Sequence, residues 1–475
     1  MVPESRILRC NSGTVSRHGR YVLYWMIAQR RLGYNFALQR AAELARELNK
    51  PLLVLEALRC GYPWACDRIH RFIIDGMAER EGTPGYWPYI EPVPDAGKGL
   101  LVALSKSACA VVTDAYPCFF LPHMVRTAGQ KLEVILEAVD SNGLLPLSIS
   151  DRTWPSAYAF RRFMQKSLRA CLAQTPLAHP MELAKAAGES LIDDKLPRHW
   201  PRAQLRRVRL EELPIDHSVA PTLQGGSTPA SARLQRFLRT GLGRYTEGRN
   251  EIDDNPASGL SPYLHFGQIG THEVLERLAR TEGWEPSRLG QRATGKRAGF
   301  WGMSDGAEAF LDQIVTWREL GYHFCTREEH YDRFQSLPLW AQKTLTEHAS
   351  DERKTLYNLA EFDSASTHDP LWNAAQRQLR RDGVMHNYLR MLWGKKILEW
   401  TASPQEALQV MIELNNRYAL DGRDPNSYSG IFWCLGRFDR PWGPTRPVFG
   451  SVRYMSSEST ARKIDVRSYL ARYGV

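Results

Sequence analysis

The sequence predicts an α/β domain built on a parallel sheet, followed by an all-helical domain. Three observations carry this. From about residue 20 to 150 helical patterns alternate with short β-rich runs. Residues 186–231 are rich in Pro, Gly, Ser and charge. From Ala232 to about residue 418 the β-rich runs give way to long helical patterns. The chain has 475 residues, 43% of them hydrophobic and 24% charged, which is globular composition with room for two or three cores. The expected organisation is a Rossmann-like parallel-sheet domain over 1–185, an interdomain linker over 186–231 and a helical domain over 232–475.

The first residues, MVPESRILRC, are polar and charged, so no secretory signal is expected. NFALQRAAELAREL (35–48) has helical spacing and is stopped by Asn49, Lys50 and Pro51; PLLVLEAL follows as a buried strand. Lys98 to Ser105 reads as helix, ACAVVTD (108–114) and LEVILEAVD (132–140) as strands, and Gln130 and Lys131 close the helix between them. Such a sheet binds nucleotides or flat aromatic ligands at its strand ends, but the sequence has neither a Gly-rich dinucleotide fingerprint nor a phosphate-binding P-loop. KLPRHWPRAQ and VAPTLQGGSTPAS form the crossing linker. Near the C-terminus LDGRDPNSYSG and RFDRPWGPTRPVFG hold Gly, Pro, Asp and Asn at turn spacing, as loops that shape a site do.

Formal charge is +10, and Arg437, Arg440, Arg446, Arg453, Arg462 and Lys463 crowd the C-terminal third. This suits a polyanionic partner, although scattered solvated cations account for it equally well. Fourteen tryptophans shift the expectation towards flat ligands. The eight cysteines show no zinc or cluster spacing and read as reduced and mostly buried. No run is long enough to span a membrane, which places the chain in the cytoplasm, or in the nucleus if the source is eukaryotic.

In RMLWGKKILEW (390–400) Trp393 and Trp400 lie seven residues apart, on one helical stripe with Ile397 between them, roughly 10 Å along the axis. One reading is a buried apolar face with solvated cations opposite. The other is an electron path, which needs a third partner and a redox centre.

Four stretches, SGLSPYLHFGQI (258–269), FLDQIVTWREL (310–320), GVMHNYLRMLWGKKILEW (383–400) and LNNRYALDGRDPNSYSGIFW (414–433) running on into RPVFGSVRYMS, together resemble the photolyase and cryptochrome family. The likeness is nearest to its class II cyclobutane pyrimidine dimer (CPD) photolyases. VVTDAYP and GQKLEVILEAVDS resemble the family's antenna domain, so the likeness covers nearly the whole chain. It implies FAD, reduced and anionic when active, held in the helical domain. Tyr245, Ser258, Leu260 and Ser261 match the loop around the diphosphate, where LSPYL alone could be an ordinary helix cap. Arg318, Asn387 and Arg390 match further flavin contacts. Asn415 matches the amide facing flavin N5, with a plain helix end at Asn415, Asn416 and Arg417 as the alternative. Asp421 matches the carboxylate paired with Arg390. An amide can donate or accept as the flavin changes redox state, whereas a carboxylate there opposes an anionic reduced flavin.

Trp317, Met391 and Trp433 match the dimer-contacting residues; two aromatic faces and a thioether suit fused, nonplanar pyrimidines. Gln313, one helical turn before Trp317, stands where CPD photolyases carry Glu. Gln keeps a donor but does not change protonation, so less efficient repair or another lesion preference is implied. Asp312 points elsewhere on the helix. Gly259, where the family often has Arg or Asn, is a second departure. Arg440, Arg446 and Arg453 fit a basic rim for UV-damaged DNA, with Arg446 alternatively pairing with Asp439. Trp393, Trp372 and surface-lying Trp400 match the class II electron relay. The resemblance thus implies a monomeric deoxyribodipyrimidine photo-lyase working by light-driven electron transfer, with an antenna chromophore, deazaflavin or folate, as a further cofactor. Two rivals stand beside it: a cryptochrome-type blue-light sensor, and a nucleic-acid-binding module without photochemistry.

Overall fold

The computed structural model describes residues 1–188, 191–193 and 195–474; Glu189, Ser190 and Asp194 of the expected linker, and Val475, lie outside the described residues. The described chain groups into two compact units. The first comprises 1–150, 167–235 and 259–287, the second 151–166, 236–258 and 288–475.

The first unit is built on six strands: β1 (Ile7–Arg9), β2 (Tyr21–Met26), β3 (Leu52–Leu58), β4 (Tyr86–Ile90), β5 (Ala108–Asp114) and β6 (Leu136–Val139), in the order β1-β6-β5-β2-β3-β4. All neighbours are parallel except β1 and β6. Central β2 and β5 are buried along their whole length, as parallel strands covered on both faces must be. Helices α1 (Phe36–Glu47), α2 (Asp67–Glu79), α3 (Leu100–Ser105) and α4 (Leu121–Lys131) connect them. The predicted helix at 35–48 forms with Asn35 as its cap, the side chain accepting from the amides of Ala37 and Leu38. PLLVLEAL and ACAVVTD form β3 and β5, but of LEVILEAVD only Leu136–Val139 enters the sheet. At the strand ends the Asp114 carboxylate accepts from Tyr24 Oη (2.7 Å) and from the amides of Ile27, Ala28 and Gln29, holding the turn after β2.

The second unit is helical. Asp305–Leu311, a π-helical segment Asp312–Trp317 and Arg318–Arg327 form a continuous rod. Pro370–Asp382, Asn387–Trp400, Pro404–Tyr418 and Pro425–Cys434 supply the rest of the site. Their starts follow one rule: Asp369, Ser403 and Asp424 cap helices whose first residue is proline, each side chain accepting backbone N–H bonds. All eight cysteines are thiols outside any disulfide. Among the described residues no helix is long and apolar enough to cross a membrane.

Candidate functional site

The LNNRYALDGRDPNS corner joins helix Pro404–Tyr418 to helix Pro425–Cys434, and its side chains are nearly all tied down. Asn415, 2% exposed, donates from Nδ2 to Ser427 Oγ (2.6 Å) and Asn416 Oδ1 (3.3 Å). Asn416 in turn donates to Tyr428 Oη and accepts from the Arg423 amide, and the Arg423 guanidinium donates to the Asn416 carbonyl. Arg390 reaches the corner from helix Asn387–Trp400 and meets Asp421 at 3.0 Å, both side chains half-buried. Arg318 donates to Tyr322 Oη (2.9 Å), which donates to Asp424 Oδ2 (3.1 Å). Helices Arg318–Arg327 and Pro425–Cys434 pack against each other. Gly321 permits it, since a Cβ there would come within 2.9 Å of Asn426 Cα and the Pro425 carbonyl. The Arg318 and Arg390 guanidinium groups, the Asn415 amide and the Asp421 carboxylate at this corner fit a flat anion with a polar edge. Asn387, the first residue of its helix, is exposed.

Along 311–320 only Gln313 and Trp317 escape full burial, and they are four residues apart on the same side of the π-helical segment. Asp312 faces the other way, as expected, and forms a two-pronged pair with Arg161 at 2.7 and 3.2 Å. Met391 and Trp433 are likewise half-buried, and the Met391 carbonyl lies 4.0 Å from Cys434 Sγ, next in the chain to Trp433. The Trp433 ring lies under two cations, Lys395 Nζ at 5.3 Å and the Arg453 guanidinium at 5.9 Å.

The three tryptophans form a continuous run of ring contacts, stacked between Trp372 and Trp393 and edge-to-face between Trp372 and Trp400. Trp372 lies 6.5 Å from Trp393 with its plane tilted by only 4°, and 6.0 Å from Trp400. Trp372 Nε1 donates to the Trp393 carbonyl (3.0 Å), and Trp393 Nε1 to Gln376 Oε1 (2.9 Å). Two expectations fail here. Trp400 is not at the surface: it is 4% exposed, because Tyr357 and His368 pack over it at 5.7 and 4.9 Å. Nor are the lysines of this helix solvated. Leu392 to Leu398 are buried without a break, so the segment has no water-facing side; Lys395 donates to the Cys434 carbonyl (2.6 Å) and Lys396 to Glu399 (2.8 Å).

Tyr245 is buried against Phe237 and Phe310, and burial pushes its phenol above the ordinary value. Tyr245 and half-buried Ser258 belong to the second unit; buried Leu260 and exposed Ser261 belong to the first. Gly259 adopts φ +63°, and a Cβ there would meet Arg233 Nη1 at 2.5 Å. Arg233 therefore fills the space that a larger residue at 259 needs. Arg440, Arg446 and Arg453 are all exposed. Arg440 and Arg453 both lie over Trp442, at 5.1 and 5.0 Å, and Arg446 lies over Tyr454 at 5.0 Å. Asp439 accepts from Trp442 Nε1 (3.1 Å).

The first unit holds a separate cavity of about 400 Å³ at the C-terminal ends of its strands, with Trp25, Tyr89 and Phe120 in its walls and Arg59, Lys98 and Lys131 as cations in its lining. That is where open parallel sheets bind ligands. Sequence reasoning missed Arg161, Tyr322, Asp424, Gln376 and buried Lys395. Only the adjacent lysines of WGKK stood out beforehand, and they read as solvent-facing.

No family model matches the chain. A deoxyribodipyrimidine photo-lyase of Methanothermobacter thermautotrophicus is 35% identical, the match covering 99% of this chain and 98% of that protein. Those of Arabidopsis thaliana and Potorous tridactylus are 32% and 31% identical, over 95% and 94% of this chain and 88% and 80% of theirs. The crystal structure of a class III photolyase from Agrobacterium tumefaciens shares the fold, with a TM-score of 0.66 at 18% identity over 97% of this chain and 87% of that one. Near-full-length identity above 30% and the shared two-part fold lead to one conclusion: the chain belongs to the deoxyribodipyrimidine photo-lyase family.

Proposed function

We propose that this photolyase is of the class II type, binds FAD in its helical unit and splits cyclobutane pyrimidine dimers in UV-damaged DNA under blue light. The observation that carries the reading is the run of ring contacts from Trp393 through Trp372 to Trp400 at 6.5 and 6.0 Å, with Trp393 and Trp400 set in the same helix as Arg390 and Met391. FAD, if held by these residues, would supply reversible light-driven one-electron chemistry to the dimer. The side chains then hold and place. Arg318, Arg390 and Asn387 offer cationic and amide donors to an anionic flavin, and Asp421 fixes the orientation of Arg390. Asn415, its side chain held by Ser427, would offer its amide to the flavin edge. By family likeness Tyr245, Ser258, Leu260 and Ser261 match the loop that would hold the diphosphate.

Trp317, Met391 and Trp433 pack on the fused bases, and Gln313 offers an amide N–H to a pyrimidine carbonyl. The exposed Arg440, Arg446 and Arg453 bind backbone phosphates without reading sequence, so the lesion is accepted wherever it arises once flipped out of the duplex. The cavity in the first unit suits an antenna chromophore, its aromatic walls matching a planar ring and its cations an acidic tail. The chain acts as a monomer in the compartment of its DNA, the cytoplasm or a nucleus.

Blue-light repair of an oligonucleotide carrying a single thymine dimer, with a (6-4) photoproduct oligonucleotide beside it, tests the reading. Restoration of the thymine-dimer strand alone is expected. Restoration of only the (6-4) strand would mean that Gln313 marks a changed lesion preference, and restoration of neither would leave a light sensor.

A further inference from the structure

Lys395 is 0% exposed, in the middle of a helical segment, Leu392 to Leu398, that is buried on every side. Gly394 makes this possible. A Cβ at that position would lie 2.6 Å from Cys434 Sγ and 3.0 Å from Met411 Sδ, so its absence lets the helix press onto the end of Pro425–Cys434. Lys395 Nζ thereby reaches the Cys434 carbonyl at 2.6 Å and the Trp433 ring at 5.3 Å.

A cation at a helix C-terminus is well placed, but one carbonyl and one ring are sparse company for a buried ammonium with three donors. No carboxylate among the described residues lies within ion-pair distance of it. The charged and titratable groups facing it are the Asp439 carboxylate, the Arg453 guanidinium and the Cys434 thiol, which itself faces Arg390; burial pushes that thiol up to about 11, so it stays neutral. The site thus keeps a positive charge without an ion-pair contact behind the aromatic face assigned above to the lesion.

We propose that Lys395 is a positioning residue for the photochemistry: acting through Trp433, its ammonium stabilises the negative charge that the pyrimidine dimer carries between receiving an electron and returning it. No bond to Lys395 forms and its proton stays in place. The electron that arrives at the dimer leaves it again, and Lys395 lowers the energy of the charged interval. The inference rests on the repair reading above. Burial also holds the ammonium down to about 8, so the protein passes from charged to neutral Lys395 within a workable pH range.

The test is the yield of thymine-dimer splitting per absorbed photon by the chemically reduced holoenzyme, from about pH 6.5 to about 9.5, with affinity for the damaged oligonucleotide measured alongside. The yield is expected to fall roughly fivefold as pH rises through the Lys395 titration, while the dissociation constant stays within about twofold. Lys395→Arg, which remains charged, should keep the high yield throughout. Lys395→Gln should show the low yield at every pH. Unfolding does not imitate this profile. A base whose folded pKa lies below its unfolded value makes the fold more stable as pH rises between the two. A flat wild-type profile, a fall retained in Lys395→Arg, or a wild-type yield from Lys395→Gln overturns the proposal. Absence of repair at every pH is a different result and overturns the repair reading itself.

Discussion

Asp312→Asn separates the role of Asp312 from that of its neighbour Gln313 on the rod Asp305–Arg327. The Asp312 carboxylate and the Arg161 guanidinium meet at 2.7 and 3.2 Å with side chains only 7% and 5% exposed, and a third Arg161 nitrogen donates to the Gly295 carbonyl at 3.1 Å. The substitution keeps the shape and removes the charge, leaving a buried guanidinium without its counter-ion. Breaking one partner of such a pair costs about 3–5 kcal/mol; the remaining amide oxygen still accepts one bond, which favours the lower end. Urea unfolding followed by tryptophan emission reads this as a lower midpoint at unchanged slope. The double replacement Arg161→Met with Asp312→Leu removes both charges and should recover stability to within about 1 kcal/mol of the parent. Because Asp312 faces Arg161, the double variant should also keep Gln313 and Trp317 in place and retain repair. A single variant less than about 1 kcal/mol weaker than the parent, or a stable double variant unable to repair, would refute the reasoning.

Other expectations follow from the same geometry. Trp393→Phe or Trp372→Phe should slow photoreduction of the flavin at least roughly tenfold yet spare dimer splitting when the flavin is reduced chemically, since reduction supplied from outside needs no path. Photoreduction at the parent rate would remove the relay. Gln313→Glu should raise thymine-dimer repair several-fold, and an unchanged yield would count against the account of that departure. In the first unit, burial holds the His70 imidazole down to about 4, outweighing the carbonyls of Cys66 and Arg59 beside its two nitrogens. The stability of this group is complete above the unfolded value of about 6.5 and is lost as pH falls towards 4, by up to about 3 kcal/mol. His70→Gln should flatten that part of the acid-unfolding curve.

Much of the first unit was legible because a parallel sheet covered on both faces announces itself as short apolar runs between helical ones: PLLVLEAL and ACAVVTD became β3 and β5. The site was legible through its motifs, which brought Trp372, Trp393 and Trp400 onto one list before any distance joined them. What stayed hidden depends on how many neighbours an element has. Periodicity assumes that every helix keeps one face in water, and on that assumption Lys395 and Lys396 belong outside. Helix Asn387–Trp400 is surrounded instead, so its lysines are buried with a carbonyl and a carboxylate for partners, and Trp400 is covered by residues remote in sequence. The π-helical turn at 312–317 left no trace in composition either, since one extra residue per turn is settled by packing.

The most direct measurement is the number of thymine dimers converted to thymines per photon by protein carrying reduced FAD, against a dark control and against the same protein with oxidised FAD. The account predicts conversion only in the light and only with reduced FAD, with the protein unchanged after each turnover. Conversion in the dark, equal conversion with oxidised FAD, or none under any condition would contradict it.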